Sequence, residues 1–508
     1  MALTALIVGL FSTLTVHAAQ AARPNVLLVC VDDLKPLLGC YGDKTVKSPN
    51  IDRLAARGMV LESAYCNQAV CSPSRNALMI GMRSTSLGIY DLPTHFRVAA
   101  PDAVTVAQYF KQQGWKTEGL GKILHTGHGN HEDPASWSVP HWRPSTGNYV
   151  TPAGRDARGP AAKNATKASE AKGAAVENAD VPDDAYADGK IATEAIRRLR
   201  AARENPRQPF FLAVGFLKPH LPFCAPKKYW DMYNRAALKI SESTTAPKGA
   251  PAYAPTTSGE LRTYADIPPT GPIPADQQRE LIHGYNAAVS YMDAQLGRVL
   301  DELDRLSFAD NTIVVVWGDH GWHLGDHGQW CKHTNYEEAA HIPIVVRAPG
   351  VTKPGSRTKA LVETVDLYST LVELAGLPPA SPPQKLDGRS FVATLRHPTA
   401  PTKPAVFHSY PRSRPGDGPV IGRAVRTERF RLVEWKKPGA PANTADIELY
   451  DYVADRAETE NLAAAKPEIV QQLRAVLAAQ PEAVPQVRAA ATTNEKAVGA
   501  KKKKKKSG

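Results

Sequence analysis

Acidic, basic and thiol side chains gather at a few places beside otherwise apolar sequence. Asp32 and Asp33 follow the uncharged run N-V-L-L-V-C-V of residues 25–31, and Asp319 and His320 follow T-I-V-V-V-W-G of residues 312–318. Clustered carboxylates of this kind suit a hard divalent cation such as Ca2+, although an adjacent aspartate pair serves a helix N-cap as readily. Cys71 opens C-S-P-S-R, which sets Arg75 one helical turn beyond it. Lys122 and His125 stand in G-K-I-L-H, Lys218 and His220 in K-P-H, and Lys332 closes D-H-G-W-H-L-G-D-H-G-Q-W-C-K. Lysines neutralise oxyanions as point charges, and histidines exchange protons near neutrality. Taken singly, each of these lysines and histidines reads as an ordinary loop residue. Jointly they supply charge neutralisation and proton transfer at an anionic centre.

Something must present these residues together. Residues 25–31, 210–214 and 312–317 are short apolar runs rich in β-branched side chains, the pattern of strands buried on both faces, with polar residues just beyond their C-terminal ends. Between them Leu281, Tyr285, Ala288, Met292, Leu296, Val299 and Leu303 recur every three or four residues, an amphipathic helical stripe. Alternating strands and helices predict an α/β fold with a mainly parallel sheet flanked by helices, in which ligands bind beyond the C-terminal strand ends. Residues 126–180 lose periodicity and fill with Gly, Pro, Ala and Lys, which predicts a long surface insertion near the site. After Leu377-Pro378-Pro379, the alternation over 422–435 predicts antiparallel strands and 467–479 a helix, together a smaller C-terminal α+β subdomain. The expected organisation is a signal peptide at 1–21, a catalytic domain at 22–378, a subdomain with a small antiparallel sheet at 379–480 and a disordered Lys-rich tail at 481–508.

The 508 residues are 43% hydrophobic and 22% charged, which excludes a disordered, collagenous or multi-spanning protein. Lysines 501–506 supply half of the formal charge of +12. No aromatic residue is interleaved with them, so they read as a solvated end, and no nucleic-acid partner is expected. Residues 2–16 are uncharged and apolar and lead into A-A-Q-A at 18–21, the pattern of a secretory leader, although no basic residue precedes the apolar run. The stretch is too short for a stable span. Export to the periplasm or the exterior is expected, with no transmembrane anchor in the mature chain. Cys30, Cys40, Cys66, Cys71, Cys224 and Cys331 are too sparse and irregular for a disulfide scaffold or a zinc cluster.

The C-x-P-x-R pattern at 71–75, with C-N-Q-A-V before it and N-A-L-M-I-G after it, resembles the signature of the type I sulfatases. Asp32-Asp33, Lys122, His125, Lys218-Pro219-His220, Asp319-His320 and Lys332 stand in that family's order and spacing. Within it the likeness is to the iduronate-2-sulfatases, carried by Tyr90-Asp91, G-L-G-K-I-L-H-T-G (119–127), F-L-K-P-H-L-P-F (216–223) and the 319–332 stretch, and it runs from Pro24 to about Leu462. Ile80 and Met82 depart from the family's usual L-T-G-R.

The resemblance implies an alkaline-phosphatase-like fold and oxidation of Cys71 to formylglycine by a formylglycine-generating or other sulfatase-maturing enzyme. It also implies one divalent cation, Ca2+, held by Asp32, Asp33, Asp319, His320 and the modified Cys71. An imidazole is an unusual Ca2+ ligand, which makes His320 the odd member of that set. A metal-activated hydroxyl of the hydrated aldehyde would attack sulfur and give a sulfated enzyme. Arg75 would hold the diol's charge, Lys122 and Lys332 the sulfate oxygens. His220 would protonate the leaving alcohol and His125 would strip the second hydroxyl, two roles that could be exchanged. Lys218 is expected on the substrate with Lys122, His220 and Lys332. The substrate so implied is a sulfated carbohydrate, with a uronate 2-O-sulfate leading. An alternative is a phosphodiesterase or phosphonate hydrolase of the alkaline-phosphatase-like group, which shares the metal site; a non-catalytic glycan-binding protein would keep Cys71 unmodified. His323, His327 and His333 read as structural or solvated, and Trp322 and Tyr90 pack either a sugar ring or the core.

Overall fold

In the computed structural model, which describes residues 23–157 and 173–488, the apolar run Asn25–Val31 forms strand β1, buried along its whole length. Its alternate residues feed two cores. Leu27, Val29 and Val31 meet helices Pro49–Arg57, Ala187–Arg203 and Ala275–Arg305 on one face. Val26, Leu28 and Cys30 meet helices Cys71–Ile80, Val106–Gln112 and Asp366–Leu374 on the other. Because both faces are covered, the strand shows no polar alternation in the sequence. The stripe on helix Ala275–Arg305 is the densest contribution: Leu281, Met292, Leu296 and Val299 are sealed from water, each stabilising by about 1.5–3 kcal/mol.

The other strands are β2 (Met59–Tyr65), β3 (Lys116–Gly121), β4 (Val176–Glu177), β5 (Phe210–Phe216), β6 (Phe223–Cys224), β7 (Thr312–Gly318), β8 (His341–Arg347), β9 (Ser356–Thr358), β10 (Val362–Glu363), β11 (Val406–Arg414), β12 (Gly418–Arg426), β13 (Phe430–Lys436) and β14 (Asp446–Asp451). The main sheet has eight strands in the order β10-β2-β8-β7-β1-β5-β3, with β9 also on β2. Every pairing in it is parallel except those of β8, which is antiparallel to both β2 and β7. The fold is the expected α/β architecture of alkaline-phosphatase type. Strands β11 to β14 form a separate antiparallel sheet, against which helix Pro467–Ala478 packs Leu473 and Leu477.

Two segments are tied down more firmly than their composition announces. Residues 126–180 are largely exposed or half-buried where they are described, but the segment is anchored: Ser136, Trp137 and Ala175 are buried, and Trp142 exchanges backbone hydrogen bonds with Gly119 and Gly121 at 3.0 and 2.8 Å, flanking edge strand β3. A few aromatic anchors dock a segment whose composition is otherwise that of a loop. The first residues of the expected tail at 481–508 are the second such segment. Residues 481–488 lie extended along the 84–90 region, where Val484 N donates to Thr85 O (2.8 Å) and Val487 N to Gly88 O (2.7 Å), with Ala483 buried. Backbone pairing of this kind leaves no mark on composition. The signal-peptide expectation, the middle of the 126–180 segment and the lysine run fall at 1–22, 158–172 and 489–508, outside the described residues. Among the described residues no helix is long and apolar enough to cross a membrane.

Candidate active site

Register brings the acids together. Val31 of β1 pairs with Gly318 of β7, so Asp32, Asp33 and Asp319 leave adjacent strand ends side by side. A Cβ at Gly318 would lie 2.6 Å from the Leu34 carbonyl oxygen, so only glycine lets the two chains turn off so closely. Asp33 sits in the left-handed region at φ 59, a conformation that costs free energy in a non-glycine residue. It is held there on both sides: Asp33 N donates to Asp319 Oδ1 (3.0 Å), and Tyr285 OH, from the long helix, donates to Asp33 O (2.8 Å).

Cys71 is the first residue of a helix buried from end to end. Its Sγ lies 3.4 Å from His320 Nε2 and 3.4 Å from Lys122 Nζ. One turn on, Arg75 donates from Nε to Asp319 Oδ2 (2.9 Å) and from Nη2 to Asp32 Oδ1 (3.1 Å), bridging the acids. Lys122 pairs with Asp32. Lys332 reaches both Asp33 oxygens at 3.2 Å and lies 4.9 Å from the centre of the Trp322 ring.

The acids in this cluster are pushed in opposite directions. Although burial opposes it, Lys122 leads the groups that hold Asp32 well below the carboxylate range. Burial, with the neighbouring carboxylates adding, raises Asp33 well above it against the pull of Lys332. Asp319 is pushed up to about 7 by burial and Asp32, against Arg75. Burial and Lys332 keep His320 neutral at ordinary pH. Its Nδ1 faces Gly321 O at 3.1 Å, which places the hydrogen there and leaves the Nε2 lone pair toward Asp33 (3.4 Å), Asp319 (3.5 Å) and Cys71. Donor atoms of Asp32, Asp33, Cys71 and His320 converge within 4.8 Å of one another. Converging donors, a tautomer with a free lone pair and carboxylates short of positive charge fit a single divalent cation.

Beyond this pole opens a cleft of about 330 Å3 lined by Asp32, Lys122, His125, Lys218 and His220, with Arg143 and Asn148 from the docked 126–157 segment. Burial, aided by Lys122 for His125 and by Lys332 for His220, pushes both histidines down to about 3. His125 Nε2 lies 3.2 Å from His128 Nδ1. His220 is held at both nitrogens, Nδ1 at 2.6 Å from Leu221 O and Nε2 at 3.2 Å from Glu260 Oε1. Lys218 also lines this cleft, and its ammonium donates to His220 O (2.8 Å) and Pro222 O (2.6 Å), closing the loop that carries His220.

The remaining candidates belong to the scaffold. Trp322 is buried beneath Lys332, and Tyr90 holds the 481–488 strap through its hydroxyl on Val484 O (2.8 Å). His323 meets Thr334 Oγ1 at 2.9 Å, His327 packs on the Tyr336 ring, and His333 Nδ1 lies 3.5 Å from Cys331 Sγ. Glu260 was not singled out from the sequence. Its one signal there is a lone acid in a stretch of Pro, Thr, Ser and Gly with no periodicity, and loops on a rigid scaffold often carry function.

A mainly parallel sheet whose strand ends carry this buried acid cluster beside a helix-opening cysteine defines an alkaline-phosphatase-like hydrolase. Residues 24–377 match the family model described as Sulfatase, and 325–483 match N-sulphoglucosamine sulphohydrolase, C-terminal. The chain belongs to the sulfatase family and is a sulfuric ester hydrolase. It is 34% identical to iduronate 2-sulfatase of Homo sapiens over 507 residues, covering 86% of this chain and 90% of that one. The phosphonate monoester hydrolase of Silicibacter pomeroyi shares the fold at a TM-score of 0.70 and 22% identity, over 90% of this chain and 94% of that one. So does a protein solved in complex with its substrate D-glucosamine-2-N,6-O-disulfate, at a TM-score of 0.68 and 20% identity, over 90% and 97%.

Proposed function

We propose that this enzyme hydrolyses sulfate monoesters on glycans, with a uronate 2-O-sulfate as substrate and formylglycine at Cys71 as the source of the nucleophile. The observation that carries this reading is the state of the cysteine itself. A cysteine that attacks as thiolate needs a lowered pKa, whereas burial and the neighbouring Asp32 raise the Cys71 thiol well above its ordinary value. As encoded, the raised thiol is a poor nucleophile at the centre of a charged site, and its oxidation by a maturing enzyme would replace it with an oxygen nucleophile.

Asp32, Asp33, Asp319, His320 and the modified residue would hold the cation, with Ca2+ preferred for its affinity for carboxylate oxygens. When bound, it supplies positive charge to the sulfate oxygens and lowers the pKa of the attacking hydroxyl. Lys122 and Lys332 flank that centre and neutralise sulfate oxygens, while Arg75 locks the two outer carboxylates. His220, neutral as it stands, would gain its proton alongside the anionic ester and pass it from Nε2, the nitrogen that faces Glu260, to the departing sugar oxygen, and His125, across the cleft, accepts the proton released when the aldehyde is restored. The enzyme works after export, and its C-terminal sheet at 379–480 backs the catalytic unit.

The identity to iduronate 2-sulfatase over most of both chains supports the uronate substrate. The test is a panel of uronate, galactose, rhamnose and glucosamine sulfates, assayed beside an aryl sulfate and a phosphonate monoester, using protein co-produced with a formylglycine-generating enzyme. The uronate 2-O-sulfate is expected to give the highest kcat/KM. A phosphonate turned over faster than every sulfate would replace this reading with phosphonate hydrolysis.

A further inference from the structure

We propose that Glu260 is a positioning residue for this reaction, clamping the acid His220 and the sulfate-side cation Lys332 to one another; the proposal deepens the sulfate-ester reading and rests on it. The two carboxylate oxygens face different partners. Oε1 lies 3.2 Å from His220 Nε2 and Oε2 lies 2.7 Å from Lys332 Nζ. The side chain is 14% exposed. Although burial opposes it, the Lys332 ammonium holds its carboxyl below the usual range, so it is ionised where it stands.

The loop around Glu260 is built to hold it. Thr256 N donates to Gln329 Oε1 (2.7 Å), and Ser258, buried and in the left-handed region at φ 57, accepts from Trp330 N at 2.8 Å through Oγ. Leu261 is buried in the core. Glu260 is thereby fixed to the same stretch, 329–332, that ends in Lys332. A continuous series of contacts, Asp33 to Lys332 to Glu260 to His220, then joins the cation pole to the acid. Ester cleavage requires that a cation meet a sulfate oxygen while the acid meets the bridging oxygen of the same group, and errors of an ångström in such placements cost orders of magnitude. Donor atoms of Asp33, His220 and Glu260 also converge within 4.8 Å, the spacing of a second metal site. The Lys332 ammonium already bonds Asp33 and Glu260 there, which favours a clamp.

The test uses Glu260→Gln and Glu260→Asp in the full-length, mature enzyme, with kcat and KM measured on a sugar sulfate and on aryl sulfates of graded phenol pKa. Glu260→Gln is expected to lower kcat on the sugar sulfate about a hundredfold, the scale of general acid catalysis. KM should stay within about threefold, and aryl sulfates with good leaving groups should lose less than about fivefold. The dependence on leaving-group pKa should steepen, and Glu260→Asp should recover part of the loss. Equal losses on all esters, a change confined to KM, or no change beyond about threefold would overturn the clamp. A drop in bound metal from two ions to one in Glu260→Gln would overturn it in favour of a second cation. The series is run on whichever ester class the wild-type enzyme turns over. A preference for phosphonates therefore defeats the substrate reading, while the same leaving-group slopes still decide the role of Glu260.

Discussion

Two clusters of buried charge in this molecule use nearly the same ingredients and reach opposite states. Where the C-terminal sheet meets the main domain, Arg426 and Arg431 pair with Glu337 and Glu458, two cations for two carboxylates. Tyr65 and Tyr452 donate to Glu337 Oε1 (2.9 Å) and Glu458 Oε1 (2.6 Å). Despite burial, both arginines are raised and Glu337 is lowered by their mutual attraction, so each of these shifts favours the charged form. In the active centre Arg75, Lys122 and Lys332 face Asp32, Asp33 and Asp319, yet only Asp32 is lowered while the other two acids rise. The first cluster is closed, each charge answered within the chain. In the second, Asp33 and Asp319 are shifted toward the neutral form despite three nearby cations, a direction that further positive charge would reverse, and that incompleteness separates a site from a scaffold.

The sharpest way to break the comparison is to remove the residue at its centre. Cys71→Ala is expected to cost about ten-thousandfold or more in kcat, and Cys71→Ser nearly as much, on the scale of other deleted nucleophiles, with the thermal transition little changed. Peptide mass spectrometry of active enzyme should find formylglycine at position 71. An unmodified thiol in protein that turns over sulfate would falsify the proposed chemistry.

Removing the cation comes next. Chelation should abolish turnover and Ca2+ restore it; recovery with Zn2+ alone would replace the assigned ion. The pH dependence of binding has a definite sign. Asp319, at about 7, and Asp33, raised above its ordinary value, must lose protons for the cation to enter. Affinity should therefore weaken as pH falls from 8 through 7 toward 5, with protons released on binding. Calorimetric titration in two buffers of different ionisation enthalpy measures both, and an affinity flat across that range would show that the carboxylates are already fully ionised.

The histidines separate the cleft wall from the pole. His220→Ala should slow a sugar sulfate about a hundredfold or more and an aryl sulfate far less, whereas His125→Ala should slow both and let a sulfated enzyme accumulate, detectable by intact mass. If the leaving-group dependence appears in His125→Ala instead, the two roles are exchanged.

Which of these residues could be read from the sequence follows from how each is held. The pole was legible because Asp32, Asp33, Asp319 and His320 end strands sealed on both faces, and a two-sided strand announces itself as an apolar run that stops at a charge. Cys71 and Arg75 were legible through one helical turn. The wall was harder. Glu260 is placed by backbone and side-chain contacts of Thr256 and Ser258 with 329–330, residues far away in sequence. At Lys218 the chain alone cannot show an ammonium turned onto two carbonyls. Residues 126–157 and 481–488 dock through backbone hydrogen bonds and isolated aromatic or small residues, which carry no period. Strand β8, antiparallel to its neighbours in the main sheet, depends on pairing with β2 and β7, and its apolar run is the same whichever way it points.

The closed cluster should respond in stability alone. Arg431→Met leaves Glu458 and Glu337 short of a cation in a buried setting, a change expected to cost about 3–5 kcal/mol. Chemical denaturation should show the lower midpoint, while kcat per folded molecule and metal content stay at the wild-type level. A loss of kcat without a loss of stability would mean that the two clusters are coupled.

The smallest effect expected is at Lys218, where the distinction between pole and wall is finest. Its ammonium is buried and donates to His220 O and Pro222 O, and the same loop is tied at Leu217 N and Lys218 N to Asp188 at 2.8 and 3.0 Å. Lys218→Gln keeps a donor that reaches one carbonyl and gives up a charge-assisted hydrogen bond, worth about 1.5–3 kcal/mol in the folded loop. Only part of that reaches the reaction, because Asp188 and Glu260 still hold the segment and the ring. Roughly a three- to tenfold fall in kcat on the sugar sulfate is therefore expected, with KM nearly constant and aryl sulfates barely affected. If Lys218 instead contacts the substrate, the signature reverses: KM rises, kcat holds, and the penalty shrinks at high ionic strength, where an exposed ammonium–anion attraction is screened. Steady-state kinetics at two salt concentrations tell a clamp from a contact.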